Sequence, residues 1–167
     1  MCNGRSLDKT IRLKPGNWYY FTIIKIVTIP HDQDYFLMRD EHGYNHLVPS
    51  VYYSNYNLYP GKGVWCRLDR INCLGRLFFE PEHPFYKQGR TYQFTLLSVE
   101  RVQPQNGGEA WTAIVSDIFG QKWQTMPFKG AMPGEQPPKI NCLVKRIKKA
   151  HLYLEVKEGF AHPIQTV

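Results

Sequence analysis

Along most of the chain, apolar and aromatic residues alternate with polar ones in short runs bounded by Gly, Pro, Asn and Asp. A period of two is typical of β-strands that bury one face, and the bounding residues are typical of turns. No helical periodicity interrupts this pattern, so the sequence predicts an all-β protein. The predicted strands are Trp18–Thr28, Tyr35–Asp40, Tyr44–Val48, Val64–Asp69, Arg76–Glu80, Thr91–Val102, Ala110–Asp117, Gln121–Met126, Ile140–Arg146 and His151–Val156.

The second half of the chain repeats the first, because five short segments of the first half recur in the second half in the same order. The matched pairs are Pro15–Phe21 with Gln88–Phe94, Asp40–Gly43 with Asp117–Gly120, Leu47–Pro49 with Thr125–Pro127, Val64–Leu68 with Ile140–Val144, and Leu77–Glu80 with Leu152–Glu155. A repeat of this length indicates two copies of one structural unit. We therefore predict tandem domains at residues 1–81 and 82–167, with residues 1–12 as an N-terminal extension and a proline-stiffened join at Glu80–Tyr86.

The first strand of each copy breaks its own alternation. Apolar positions share one face over Tyr19–Ile23 and then slip by one at Ile24; they do the same over Tyr92–Leu96 and at Leu97. One slip in a period of two indicates a β-bulge. A long first strand that bends midway can serve both ends of a small closed sheet, so the pattern predicts a five-stranded barrel in each half.

These segments resemble OB-fold nucleic-acid-binding domains, most closely those of the S1 type. The resemblance is carried by G-x-x-Y-x-F at the start of strand one, Asp40-x-x-Gly43 before strand three, His46–Ser50 at its end, and Val64-x-Cys66-x-Leu68 leading to Leu77-x-Phe79. It implies two tandem five-stranded OB-type barrels. It also implies that single-stranded RNA or DNA binds across strands two and three, between the loops that join strands one to two and four to five.

Charge favours a polyanionic partner, since the net charge is +7 and the pI is about 9.2. A surface whose charge serves only solubility would give the same net charge and pI. The densest basic run, Lys145–Lys149, falls at the turn from strand four to strand five, whereas its counterpart Asp69–Cys73 is nearly neutral. The second domain is therefore predicted to be the better phosphate binder, although a solvated turn without a ligand is an equal alternative.

Aromatic side chains on strands two, three and five are candidates for stacking on bases, and the cations near them are candidates for phosphate contacts. For each aromatic residue the alternative is burial in a barrel or between domains. The predicted nucleic-acid-binding residues are Tyr35, Arg39, Tyr44, His46, Arg76, Phe78, Trp111, Lys122, Trp123, Lys145, Arg146, Lys148, Lys149, His151 and Tyr153.

A second hypothesis is a protein–protein adaptor that uses the same barrels and the tyrosine-rich loop Tyr52–Tyr59, where four tyrosines and two asparagines form an uncharged surface. The alternative for this loop is that it folds over the mouth of the barrel. A third hypothesis is an accessory domain of a larger nucleic-acid complex. Unpaired edge strands allow a weak dimer, so we expect a monomer or a weak dimer.

We expect neither enzymatic activity nor a cofactor. The sequence contains no G-x-S-x-G, phosphate-binding glycine loop or H-E-x-x-H, and His42-x-x-x-His46 lies on a turn and a strand without zinc-site spacing. Cys66 and Cys142 occupy equivalent core positions, while Cys73 falls in a turn. No stretch approaches the length of a membrane span, and Met1–Arg12 lacks an apolar signal region, so no membrane contact and a cytoplasmic location are expected.

Overall fold

The computed structural model describes residues 13–103, 109–129 and 136–158. The chain forms two compact units, Met1–Pro84 and Phe85–Val167. Each contains one five-stranded antiparallel sheet, and the described residues form no α-helix, so the all-β prediction is confirmed. The strands of the first unit are β1 (Trp18–Thr28), β2 (Asp34–Asp40), β3 (Asn45–Pro49), β4 (Gly63–Ile71) and β5 (Leu77–Pro81). Those of the second are β6 (Thr91–Val102), β7 (Ala110–Ser116), β8 (Lys122–Gln124), β9 (Lys139–Lys148) and β10 (His151–Glu158).

The two sheets have the same strand order, β3-β2-β1-β4-β5 and β8-β7-β6-β9-β10. The central first strand pairs with two neighbours: Trp18–Thr22 pairs with β4, and Phe21–Thr28 pairs with β2. The register shifts between Ile23 and Lys25 in β1 and between Leu96 and Ser98 in β6. Both predicted bulges are thus confirmed.

Apolar residues at the bulges do not continue the buried face. Phe21 and Ile23 are buried before the bulge of β1, but Ile24 and Ile26 are exposed. Leu97 is likewise exposed in β6. The slip in alternation therefore marks the bulge, and the apolar residues that follow it lie on the exposed face.

An aspartate organises the hairpin between the second and third strands of each unit. The carboxylate Oδ1 of Asp117 accepts hydrogen bonds from the backbone N–H groups of Phe119 at 2.8 Å and Gln121 at 2.9 Å. Its Oδ2 accepts one from Nε1 of Trp123 at 2.8 Å. Gly120 follows with φ 79°, a conformation that glycine adopts without strain. One carboxylate therefore holds both the turn and a core tryptophan.

Asp40 holds the corresponding turn of the first unit. It accepts from the backbone N–H groups of His42 and Tyr44, and its Oδ2 lies 3.0 Å from Nε2 of His46. Burial alone would raise the pKa of Asp40, but the hydrogen bonds from His46, Tyr44 and His42 together outweigh it and lower the pKa. Asp40 thus stabilises the fold above its unfolded pKa of 3.8, and this contribution is lost as the pH falls through the folded value.

Each sheet buries one face in its own core. In the second unit Phe94, Val115, Ile140 and Leu154 are buried, and the ring of Tyr86 stacks on that of Phe94 at 5.2 Å. Beyond β8 the backbone forms a parallel bridge from Thr125 to Leu154 in β10. This bridge brings the two edges of the second sheet together.

The segment between β3 and β4, predicted as a loop, contains two single 3₁₀ turns, Ser50–Tyr52 and Ser54–Tyr56. Tyr53 and Tyr56 are buried, and the hydroxyl of Tyr53 donates to Glu80 Oε2 at 3.2 Å. Burial and the neighbouring Glu80 raise the pKa of both tyrosines well above the usual value. Of the four tyrosines proposed as a docking surface, two therefore belong to the interior, and Tyr59 is exposed.

In the part of the chain that the structure describes, no helix has the length and apolar character needed to cross a membrane.

Replacing Asp117 with alanine removes the acceptor of three hydrogen bonds and leaves the buried indole N–H of Trp123 without a partner. We expect Asp117→Ala to lower the free energy of unfolding by about 2–4 kcal/mol, because an unsatisfied buried donor costs about 1–3 kcal/mol. Urea unfolding followed by tryptophan fluorescence measures the loss. Ile118→Ala in the same exposed turn is the control, with a change below about 0.5 kcal/mol. Equal losses of unfolding free energy in the two variants would contradict the role assigned to the Asp117 carboxylate.

Candidate nucleic-acid interface

The hairpin formed by β9 and β10 separates a buried face from a basic outer face. Leu152 pairs with Ile147 across the strands, and both are buried. The alternate positions pair Tyr153 with Arg146 and His151 with Lys148. Residues directly opposite in an antiparallel pair share a face, so these four side chains lie together on the outer face. We call this group the second-unit hairpin cluster.

A strained lysine lies at the tip of this hairpin. Lys149 and Ala150 form its two-residue turn with φ 50° and 58°. Positive φ at both positions is what type I′ turns require, and glycine or asparagine normally occupies them. A lysine there costs about 1 kcal/mol relative to a residue suited to the left-handed region. The turn therefore keeps a cation next to the hairpin cluster despite the strain.

Residues 139–158 contain six Lys and Arg against two Glu, a net charge of +4 out of the chain's +7. Glu155 is one of the two acidic residues of β10. It accepts a hydrogen bond from Lys157 and lies 3.0 Å from Nζ of Lys145. These two contacts, that of Lys157 first, lower the pKa of Glu155. Lys145 is thus partly neutralised by Glu155.

Tyr153 is the exposed aromatic residue of the cluster, with 42% of its surface accessible. Its ring meets that of His151 edge-on at 4.8 Å, and His151 also contacts Trp123 at 5.0 Å. Trp123 fixes His151 from the core side, which holds the two outer rings at defined positions. An exposed ring beside several cations can stack on a base while the cations contact phosphates.

The first unit carries an equivalent pair on the hairpin of β4 and β5. Phe78 pairs with Arg70 across the strands, as Tyr153 pairs with Arg146. The guanidinium of Arg70 lies 4.4 Å from the Phe78 ring centre, and that of Arg76 lies 5.4 Å from it. An arginine opposite an aromatic ring therefore recurs at the same place in both units.

Three residues predicted to bind nucleic acid are not available as surface rings. Tyr35 is 5% exposed, and its hydroxyl donates to Asp32. Trp123 is 6% exposed because its N–H is bound to Asp117. His46 is half-buried, and its ring packs against Phe79 at 5.1 Å. Tyr35 and Trp123 are therefore buried, as the alternative for aromatic residues has it, and His46 is half-buried.

Four further predicted residues, Arg39, Tyr44, Trp111 and Lys122, lie on the second and third strands or beside them. Arg39 and Tyr44 are exposed, and Arg39 donates to Asn45 at 3.2 Å. Lys122 is exposed and Trp111 is half-buried. In the part of the chain that the structure describes, none of the four forms a hydrogen bond, an ion pair or a ring contact with the β4–β5 or β9–β10 hairpin of its own unit. The remaining predicted residues, Arg76, Phe78, Lys145, Arg146, Lys148, Lys149, His151 and Tyr153, gather on the two hairpins.

Comparison of the chain with known protein families, with curated proteins and with solved structures finds no match. The chemistry of the candidate interface therefore rests on its own residues. Among the described residues no three His, Cys, Asp or Glu side chains converge as a metal site would require. What the hairpins offer is cations and exposed rings.

Arg70 is the site residue that the sequence reasoning missed. It was passed over because its segment, Asp69–Cys73, is nearly neutral in total. The signal was present, since Arg70-Ile71 aligns with Arg146-Ile147 in the repeat. Alignment position, rather than local charge, would have found it.

Three cysteines lie in the described residues, two of them in strands and the third, Cys73, in the turn between β4 and β5. Cys66 and Cys142 are buried, as predicted, and Cys73 is exposed. Burial raises the pKa of Cys142 to about 12 and that of Cys66 well above its usual value. Because the thiolate is the reactive form, both buried thiols are inert in the folded protein.

We expect a thiol reagent such as DTNB to modify Cys73 rapidly in the folded protein and to reach Cys66 and Cys142 only on unfolding. A Cys2→Ser background removes the thiol that lies outside the described residues. Peptide mapping after a short exposure identifies the modified residue, and Cys73→Ser in the same background is the control that abolishes the fast reaction. Rapid native labelling of Cys142 would contradict the burial described here.

Proposed function

We propose that the protein binds single-stranded nucleic acid, RNA or DNA, without catalysing a reaction, and that the second-unit hairpin cluster is its main contact. The observation that carries the proposal is the pairing of exposed Tyr153 with Arg146 on a hairpin of net charge +4. Phosphates meet Arg146, Lys148 and Lys149, and a base stacks on Tyr153. Stacking on an aromatic side chain is worth about 1–3 kcal/mol per base and tolerates any base.

The proposal includes an OB-type barrel for each unit. Strand order 3-2-1-4-5 with a bulged first strand supports it, as does the parallel bridge between Thr125 and Leu154, which brings the outer strands together. OB domains contact oligonucleotides near the loop that joins strands four and five. In the second unit this is the Lys149-Ala150 turn, so the basic hairpin lies where the proposed fold would place a ligand.

The first unit is proposed to contribute less to phosphate binding. Its β4–β5 hairpin, Gly63–Pro81, contains three Arg against two acidic residues, a net charge of +1. Arg70 and Arg76 nevertheless flank Phe78, and neither has a carboxylate partner among the described residues. This hairpin can hold one base or phosphate but attracts a polyanion less strongly.

Neutralising Arg146, Lys148 and Lys149 to glutamine is expected to weaken binding of a labelled oligonucleotide of about 12 nucleotides about tenfold at low salt. The slope of log affinity against log salt should become shallower by about 2, because about 0.7 counterion is released per phosphate contact on a single strand. Fluorescence anisotropy between about 50 and 200 mM salt measures both.

The matched control removes the same charge elsewhere, with Lys14, Lys25 and Lys129 changed to glutamine. All three are exposed, and none lies on the β9–β10 hairpin. The control should keep most of the wild-type affinity and slope. Equal losses in the two variants would show that only net charge matters, and an absence of wild-type binding at low salt would contradict the proposed function.

Changing Glu155 to glutamine should strengthen binding about two- to threefold at low salt, because it releases Lys145 and Lys157 from their carboxylate partner and removes a negative charge from the hairpin. The same anisotropy titration measures the gain. Glu100→Gln, at an exposed position of β6, changes the net charge equally and is the control. A gain of the same size in both would mean that the position of the charge is irrelevant.

A further inference from the structure

Three large aromatic side chains of the first unit lie exposed on the outer face of its sheet. Trp18, Tyr20 and Trp65 are 47%, 45% and 49% accessible. Tyr20 pairs directly with Trp65 across β1 and β4, and Trp18 is two residues from Tyr20 on the same face. We call these three residues the aromatic plate. Large exposed aromatic groups of this kind mark binding surfaces more often than single exposed apolar residues do.

The internal repeat shows that the fold does not need aromatic residues at these positions. The second unit has the same pairing between β6 and β9, and there Thr91, Gln93 and Asn141 occupy the places of Trp18, Tyr20 and Trp65. The alternate positions of the first strand are aromatic in both units, since Tyr19 and Phe21 correspond to Tyr92 and Phe94. The buried face is thus common to both units, and the aromatic outer face belongs to the first unit alone.

The plate is held in place by its own packing. The rings of Tyr20 and Trp65 meet edge-on at 5.3 Å with an interplanar angle of 63°. The hydroxyl of Tyr20 fills the space above Gly63, where a Cβ would lie 1.8 Å from it. In the described residues neither Trp18, Tyr20 nor Trp65 uses its ring N–H or hydroxyl in a hydrogen bond. The plate therefore offers ring surface together with free donors.

Cations border the plate. Arg67 pairs with Trp18 across the strands and also lies 3.8 Å from Asp69. Arg39 pairs with Thr22, the next outward position after Tyr20. Rings beside arginines on the face of a sheet suit a ligand that presents flat bases along a negatively charged backbone.

From these observations we infer that the aromatic plate is a second nucleic-acid contact, one that stacks the bases of a single strand. This inference rests on the proposed function and adds that the two units contact different parts of the nucleic acid. The hairpin cluster of the second unit supplies charge, and the plate of the first unit supplies ring surface. Binding at the plate depends on bases and only weakly on salt, whereas binding at the hairpin cluster depends mainly on phosphates, together with the one base that stacks on Tyr153.

The test exchanges the plate for the residues of the other unit, as Trp18→Thr, Tyr20→Gln and Trp65→Asn. The probes are a labelled oligothymidylate and an abasic strand of the same length, with the same number of phosphates. Wild type should bind the thymidylate more tightly than the abasic strand. The exchange should lower thymidylate affinity by about fivefold or more and leave both abasic affinity and the salt slope unchanged.

The outcomes separate the two proposals. An unchanged ratio of thymidylate to abasic affinity in the exchanged variant would overturn the inference while leaving the proposed function in place. Loss of affinity for both strands in the hairpin variant alone would support the proposed function. If wild type binds neither strand, both proposals fail.

A second measurement does not depend on how the variants fold. Ultraviolet crosslinking of wild-type protein to a strand that contains 5-iodouracil, followed by peptide mapping, reports which rings the bases touch. We expect crosslinks at Trp18, Tyr20 or Trp65 in addition to Tyr153. Crosslinks confined to the β9–β10 hairpin would overturn the inference, and they would leave the proposed function standing.

Discussion

The first strand of each unit has to satisfy two neighbours at once. Its first part pairs with strand four and its later part with strand two, the two pairings overlap just before the bulge, and the bulge after Ile23 or Leu96 bends the strand. A straight first strand could not pair with both neighbouring strands around the same core. The positions of the second-unit hairpin cluster and of the Arg70–Phe78 pair follow from it, because strand four pairs with the first part of the bent strand and strand five pairs with strand four.

The two units share this strand arrangement and differ mainly at outer positions, where core packing does not constrain the residue. The aspartate of the turn is retained in both, and its third partner is a ring N–H in each case, from His46 or from Trp123. Outer positions are free to diverge because exchanging an exposed residue costs little stability. The first unit therefore carries aromatic residues at outer positions where the second has polar ones, and the second carries most of the positive charge of the hairpins.

Much of the fold was predictable from the sequence. Every predicted strand is present with ends within two residues of the prediction, because alternation and turn residues encode strands locally. Burial of individual rings was harder to predict, since alternation separates two faces without saying which partner each polar atom finds. The sequence predicts Trp123 as a surface ring, whereas the structure buries it, because its hydrogen bond to Asp117 forms only in the folded turn. The equal spacing of Asp40 to His46 and Asp117 to Trp123 was the available clue.

For the exposed residues of β1, alternation predicts the face on which each residue lies, but it does not predict which residues of other strands share that face. Assigning Tyr19 and Phe21 to one face of the strand already implies that Trp18 and Tyr20 lie on the other face. Only the register with β4 adds Trp65 to the same surface. Contacts between distant strands thus decide which aromatic residues form a site.

The account is tested most directly by titrating uniformly ¹⁵N-labelled protein with a single-stranded oligonucleotide and mapping the amide shifts along the chain. We predict the largest shifts at Arg146–Tyr153 in the β9–β10 hairpin, and small shifts in the buried strand β7. Shifts confined to β7, or none at saturating oligonucleotide, would contradict the assignment of the basic hairpin as the nucleic-acid contact.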